Sequence, residues 1–377
     1  MKRFLLFFFI TGCIQAQTVT TFLDDPSADV DDDMEFDASG NLYGSNFAGD
    51  TVYKIDTDGN ASVFVDGIAN PNGIAIDSSG NVFVVEYSAG MIHKYNSSGG
   101  LLESYAVGSF PSGLEKSPSS DDLYFTLVSN NSVNILSPDG TITQLFQGAP
   151  LDVPVGLAFD DEENLYVGNY IGGQIHRVSL NNAVYLATVP TDGGGGSPFL
   201  AFIGYANSKL YGTIYGAHKI YEIGITTNDD VTLFAGSSQG SDDGPIANAT
   251  FDNPGGIAFN PTENALYISE FSGDGNIRKI EDMPLSVAEQ SVAVKIDLSP
   301  NPAEEFVTIK VDPSLGLEIE RVALYDSTGS ILKTVYRMAQ GPRFQLWVDV
   351  REIPAGFYLL EVLNSNSETV SVSFIKK

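Results

Sequence analysis

The chain has 377 residues, 43% of them hydrophobic, and a formal net charge of -29, which excludes a disordered tail and leaves room for more than one packed core. Residues 17–283 hold 8 Lys and Arg against 36 Asp and Glu, whereas residues 284–377 hold 9 against 12, so the acidity belongs to the first region. Such a field excludes nucleic acid and anionic membrane surfaces as partners and favours cations or cationic partners. The opening residues 1–16, MKRFLLFFFITGCIQA, combine two basic residues, a short apolar run and a small residue at Ala16, the plan of a signal peptide cut before Gln17. ITGC, ending at Cys13, also fits a lipoprotein signal. Simple export is the favoured reading, and it leaves the chain without its single cysteine, hence without thiol chemistry or a disulfide. No later stretch reaches the ~20 apolar residues of a transmembrane helix.

After the signal comes a short strand, TVTTFLDD (residues 18–25), and then six similar units. An inner strand opens each unit, in four of them from a Pro-x-Gly turn at Pro71, Pro111, Pro154 and Pro254. The second strand carries an aliphatic-aromatic pair: Leu42-Tyr43, Val82-Phe83, Leu123-Tyr124, Leu165-Tyr166, Leu210-Tyr211 and Leu266-Tyr267, spaced by 40, 41, 42, 45 and 56 residues. A third strand follows, such as TVYKID or QIHRVS, and usually a fourth, such as ASVFVDG or TITQLFQG. Four short strands in about 40 residues predict a propeller blade. The sixth unit lacks its last strand, and TVTTFLDD is expected to supply it and close the ring, removing open sheet edges.

The copies of P-x-G-I-A-x-D followed by G-N-L-Y-V resemble NHL-type propeller repeats, and residues 234–259 are similar to the long linker of such repeats. The resemblance implies a six-bladed propeller over residues 17–283, a fold that serves enzymes, binding modules and scaffolds alike. Residues 284–296 read as a linker. From 297 to 377 alternating strands between Pro, Asn and Gly turns predict a small Ig-like β-sandwich. Within it Pro300, Asn301, Pro302, Gly329, Gly356, Tyr358, Lys376 and Lys377 strongly resemble the type A sorting domain of type IX secretion. That resemblance implies an address read by the secretion machinery at the outer membrane, and a secreted or surface-displayed protein exported through the periplasm.

Catalytic motifs are sparse. Neither H-E-x-x-H nor a P-loop occurs, and GSSQG around Ser238 lacks the strand and helix that a nucleophile elbow needs. His93, His176 and His218 are scattered, and the first two share a strand slot with Tyr53, Asn134, Tyr221 and Arg278, which reads as a tolerant structural position. The residue inside each Pro-x-Gly turn should face the channel mouth, giving a ring of Asp32, Asn72, Ser112, Val155, Phe199 and Gly255. Propellers of the gluconolactonase and senescence-marker family resemble this one distantly, and place a divalent metal such as calcium at that ring. By that resemblance Asp32 and Asn72 are the metal ligands, although no P-D-G turn supplies the third, and hard cations want about six oxygens. No other cofactor is indicated.

Glu35 and Glu115 share an inner-strand slot filled elsewhere by Ala75, Ala158 and Ala258, and could act as acid and base. The acidic run Asp24 to Asp37 reads as a solvated loop rather than an EF-hand. Phe47, Tyr87, Tyr170, Tyr215 and Phe271 recur after the second strand; packing between blades accounts for them more simply than stacking on sugars. GGGGSPF, residues 193–199, makes a loop beside the channel. The sequence thus favours non-catalytic binding of a glycan, peptide or surface partner, with a metal-dependent lactonase or hydrolase on Asp32, Asn72 and Glu35 or Glu115 as the alternative.

Overall fold

The computed structural model describes residues 17–191, 199–271, 276–284, 297–299, 302–310, 319–326, 331–336, 345–364 and 369–377. It divides into two compact units, residues 1–286 and 287–377. The expected signal peptide (residues 1–16), most of the expected linker 284–296, most of GGGGSPF, and Pro300, Asn301 and Gly329 lie outside the described residues.

The first unit is a six-bladed propeller. Blades 1 to 5 are four-stranded antiparallel meanders over residues 34–65, 71–106, 111–147, 154–188 and 199–235. The sixth takes three strands from residues 254–280 and its outer strand from Thr18–Leu23, with Val19 opposite Ile280 and Thr20 opposite Lys279. Expected closure therefore stands. One detail is added: the long linker lays Gly244–Pro245 alongside Thr18 and Val19, so a fifth short strand covers that edge. Ser238 lies exposed in this linker, away from any helix.

Alternation explains the blades locally. Second strands such as Val82–Glu86 are buried on both faces, because blades pack against one another on each side. Outer strands such as Leu101–Ala106 are mostly exposed. The Pro-x-Gly turn has a different cause. In blades 2, 3, 4 and 6 the register shifts between the proline and the residue three further on, a bulge that leaves two residues off the ladder. A Cβ at Gly113 would stand 1.9 Å from the Val155 carbonyl oxygen, and one at Gly256 would stand 2.1 Å from that of Asp32. Only glycine lets neighbouring bulges nest this closely.

Hydroxyls seal the same seam. Gly113 donates its amide to Thr126 Oγ1 (2.9 Å), Phe202 to Thr213 Oγ1 (3.1 Å) and Gly256 to Ser269 Oγ (2.7 Å). Ser269 in turn donates to the Asp32 carbonyl of the next blade at 2.7 Å. Blade 2 has Val85 where those hydroxyls stand; there the Ile74 amide is accepted by Asp33 Oδ2 of blade 1 at 2.9 Å.

The second unit holds two antiparallel sheets, one of Asp297–Ser299, Phe306–Lys310 and Gln345–Asp349, the other of Ile331–Tyr336, Ile319–Tyr325, Gly356–Asn364 and Thr369–Lys376. Exposed Gly356 pairs with Lys376, and Ala303, next to exposed Pro302, accepts the Lys377 amide at 2.9 Å. Buried Tyr358 donates its hydroxyl to the Pro354 carbonyl at 2.8 Å. The two ends of the sorting motif thus sit together. No helix among the described residues is long and apolar enough to cross a membrane.

Candidate functional site

The channel opens on one side into a cavity of about 300 Å³. Its floor is the ring of bulge residues: Asp32, Asn72, Ser112, Val155 and Gly255 where the sequence places them, and Ala201 in blade 5. Phe199 is a correction. Blade 5 lacks the Pro-x-Gly turn and its register shifts between Leu200 and Ile203, so the ring position falls two residues later. Phe199 stacks instead on Tyr170, centroids 4.3 Å apart and planes 8° from parallel.

Above the floor stands a collar of one residue per blade: Phe47, Tyr87, Val128, Tyr170, Tyr215 and Phe271, all half-buried. They do touch across blades, Phe47 with Tyr87 at 5.4 Å and Tyr215 with Phe271 at 5.6 Å. Inter-blade packing is nevertheless only part of their role, because all six line the cavity. A shared bond sets them there. The amides of Tyr87, Val128, Tyr170 and Phe271 donate to the carbonyls of Asn70, Phe110, Val153 and Asn253, the residues just before the four prolines. In blade 1 the amides of Phe47 and Ala48 donate to Asp31 Oδ1 (2.6 Å) and Oδ2 (3.0 Å).

The electrostatics are one-sided. Asp31 is buried and carried up to about 7 by that burial, against the pull of its two amide donors. Asp32 is raised well above the carboxylate range by burial and by Asp31 and Asp33. Its carboxylate accepts no hydrogen bond among the described residues. Tyr170 is pushed up to about 12, by burial first and then by Tyr215, Asp32 and Tyr87, so these groups converge on one space. Asn72 is 5% exposed; its Oδ1 accepts a long contact from Ser112 Oγ at 3.4 Å.

Glu35 and Glu115 face the channel from its other end, in a second cavity of about 260 Å³ with Asp33. Burial and neighbouring carboxylates push Glu35 up to about 8 and Glu115 well up, with Lys116 pulling the other way. They are not brought together with Asp32 and Asn72. Phe202 lines both cavities and stands between them, in the slot where four blades carry glycine. The sequence reading misses this divider, though the broken Pro-x-Gly pattern of blade 5 marks it.

The acidic run is not a uniformly solvated loop. Asp31 and Asp33 are buried and bound to backbone amides, whereas half-buried Asp25 caps the turn at Ser27 and Asp24 is exposed. With the oxygens of Asp31 taken by the amides of Phe47 and Ala48, the mouth offers a metal Asp32, Asn72 and hydroxyls such as that of Ser112, and among the described residues no cluster of three His, Cys, Asp or Glu could hold an ion. This donor set does not fit a resident divalent cation. The histidines stand apart: His93 bonds Glu86 and Ser104, at 2.8 Å each, and His176 is 2% exposed with its charge disfavoured by burial. His218 Nδ1 accepts the Asn253 amide at 3.0 Å. The slot they were aligned with is not tolerant in blade 6. Arg278 there is fully buried and donates to the Thr250 carbonyl (2.8 Å), Asp243 (2.6 Å) and Glu270 (3.3 Å), pinning the linker.

Known structures share this fold at low identity. Virginiamycin B lyase from Staphylococcus aureus is 20% identical over 66% of this chain and 79% of its own, with a TM-score of 0.50. An auxiliary nutrient binding protein from Bacteroides thetaiotaomicron is 18% identical over 70% of this chain and 76% of its own, TM-score 0.58. A gluconolactonase from Xanthomonas campestris is 20% identical over 70% and 89%, TM-score 0.54. No curated protein matches the chain. Residues 297–377 match the secretion system C-terminal sorting domain, which marks the protein for export by type IX secretion to the cell surface or beyond it. Residues 12–277 match the sequence model of the virginiamycin B lyase family, so the propeller that carries this aromatic mouth belongs to that family.

Proposed function

We propose that the exported propeller is a binding module that takes a glycan- or peptide-like ligand into the channel mouth without transforming it. One observation carries this reading: five aromatic rings, each on a different blade, surround a floor that holds a carboxylate and an amide. Rings offer flat apolar contact at little entropic cost, and the few polar groups beneath them fix orientation. A fold neighbour named as a nutrient binding protein is in keeping with it. The family match favours a second reading, a lyase, and the fold neighbours include a gluconolactonase. Either chemistry needs a base beside the scissile group. The base would have to be Asp32, because no histidine lines the mouth.

A glycan and peptide array, followed by titration of each hit, tests the module. Replacing Tyr170 or Tyr215 by alanine should weaken binding by roughly 10- to 100-fold, the worth of a large aromatic contact. Recovered ligand should be unchanged by NMR and retention time. A streptogramin or lactone that leaves ring-opened, whether as an isomer of equal mass by elimination or with water added by hydrolysis, dependent on Asp32, would replace binding by catalysis.

A further inference from the structure

The mouth holds an acid that is unpartnered among the described residues. Its lining includes Asp31 and Asp32 but no lysine, arginine or histidine. Asp31 is occupied by the amides of Phe47 and Ala48, and Asp33, below, by that of Ile74. Asp32 alone of the three carboxylates has no donor among the described residues. Beside it on the floor ring, Asn72 is 5% exposed, and its Nδ2 donates to none of the described residues. An open acceptor and an open donor therefore lie in equivalent positions of adjacent blades, beneath the collar.

Resting on the binding reading above, we propose that the mouth selects a compact organic cation: an alkylated ammonium group seated against the aromatic collar, with Asp32 as its counter-ion and a hydroxyl or carbonyl of the same ligand on Asn72 Nδ2. Ring faces attract a cation through their quadrupole, and a nearby carboxylate adds direct charge pairing. A neutral sugar would leave Asp32 in the protonated form that its burial favours, whereas a cation at the collar supplies the charge that holds it ionised. The propeller's acidity, 8 Lys and Arg against 36 Asp and Glu over residues 17–283, draws cations to the opening. A cavity of about 300 Å³ admits a head group of this size.

Calorimetry on the full chain, with choline, its uncharged isostere 3,3-dimethyl-1-butanol and a methyl glucoside, tests the idea. Choline should bind at least ~10-fold tighter than the isostere, and Asp32→Asn should narrow that gap to about threefold or less. The substitution keeps the side chain's shape and breaks no bond; should it fail to fold, the wild-type comparison of choline with its isostere still decides. Equal binding of the two, or no choline binding, overturns the cation. Glucoside binding that disappears in Tyr170→Ala, without choline binding, overturns the cation while keeping the mouth as a binding site. If the array and all three probes leave no ligand at the mouth, both readings fall.

Discussion

The two ends of the channel are lined by the same six inner strands, yet they treat burial in opposite ways. At the mouth the bulge turns side chains outward beneath a collar of rings, and Asp32 and Asn72 keep open hydrogen-bonding capacity. Three residues further along each strand the ladder is regular again, and small residues line the cavity, Ala158, Gly204 and Ala258, interrupted by Glu35 and Glu115. The repeat thus leaves one end open beneath a rim of rings and sets at the other a pair of acids whose charged neighbours are each other, Asp33 and Lys116. Departures from the repeat mark both ends. Phe202 and Asp33 occupy the slot of the nesting glycine, and the two glutamates occupy the slot of alanine.

Removing the divider should have the largest effect. Phe202→Ala would merge the cavities and cost about 3 kcal/mol, the lower part of the range for a buried phenylalanine because the side chain already faces open space on two sides. Urea denaturation measures the loss, and a loss below about 1 kcal/mol would mean that Phe202 does not hold the ends apart.

A smaller effect separates the ends by pH. Burial and mutual repulsion raise Glu35 and Glu115, so between about 4.5, the ordinary glutamate value, and about 8 the folded protein binds protons that the unfolded chain releases. Stability then falls as pH rises through that window. Both side chains are half-buried, so solvent screening cuts the effect to about 1–2 kcal/mol. The double variant Glu35→Gln, Glu115→Gln should flatten the slope of urea midpoints from pH 5 to pH 8, leaving the part due to buried Asp31, Asp32 and Asp33. An unchanged slope would place the glutamates in water and erase the contrast with the mouth.

The smallest effect belongs to the collar. Tyr170→Phe removes a hydroxyl that has no partner among the described residues, and should change stability by less than about 0.5 kcal/mol while weakening ligand binding. A larger change in melting would show the collar to be chiefly structural.

How far the sequence carries depends on range. Blade number and ring closure are legible because their signals are local: the Leu-Tyr pair, the turn glycines, and the likeness of TVTTFLDD to ASVFVDG. The sorting motif is legible for the same reason. The floor of the mouth is legible in five of six blades and fails in blade 5, where Pro198 stands two residues ahead of the place that proline takes at the other bulges, so Phe199 is taken for Ala201. Asp33 could not be read, since its partner is the amide of Ile74, 41 residues on and in another blade. The collar is ambiguous in sequence for a physical reason. A ring that wedges between blades and a ring that lines a cavity require the same residue at the same place, and here they are the same residues. Arg278 shows the opposite error, a strand slot that varies from blade to blade yet holds a buried clamp in one.

The pairing of Val19 with Ile280 has a consequence for how the protein is made. Five blades are contiguous hairpins that can form as the chain arrives, whereas the sixth needs two segments from opposite sides of the propeller sequence. Its assembly therefore bears the largest loop-closure entropy and comes last. Until then the strand Ile277–Ile280 has an unpaired edge, open to a strand from any other molecule. Closure acts as a latch on maturation: a chain delivered across a membrane becomes safe from its neighbours only when the segment that arrived first meets the blade that arrived last.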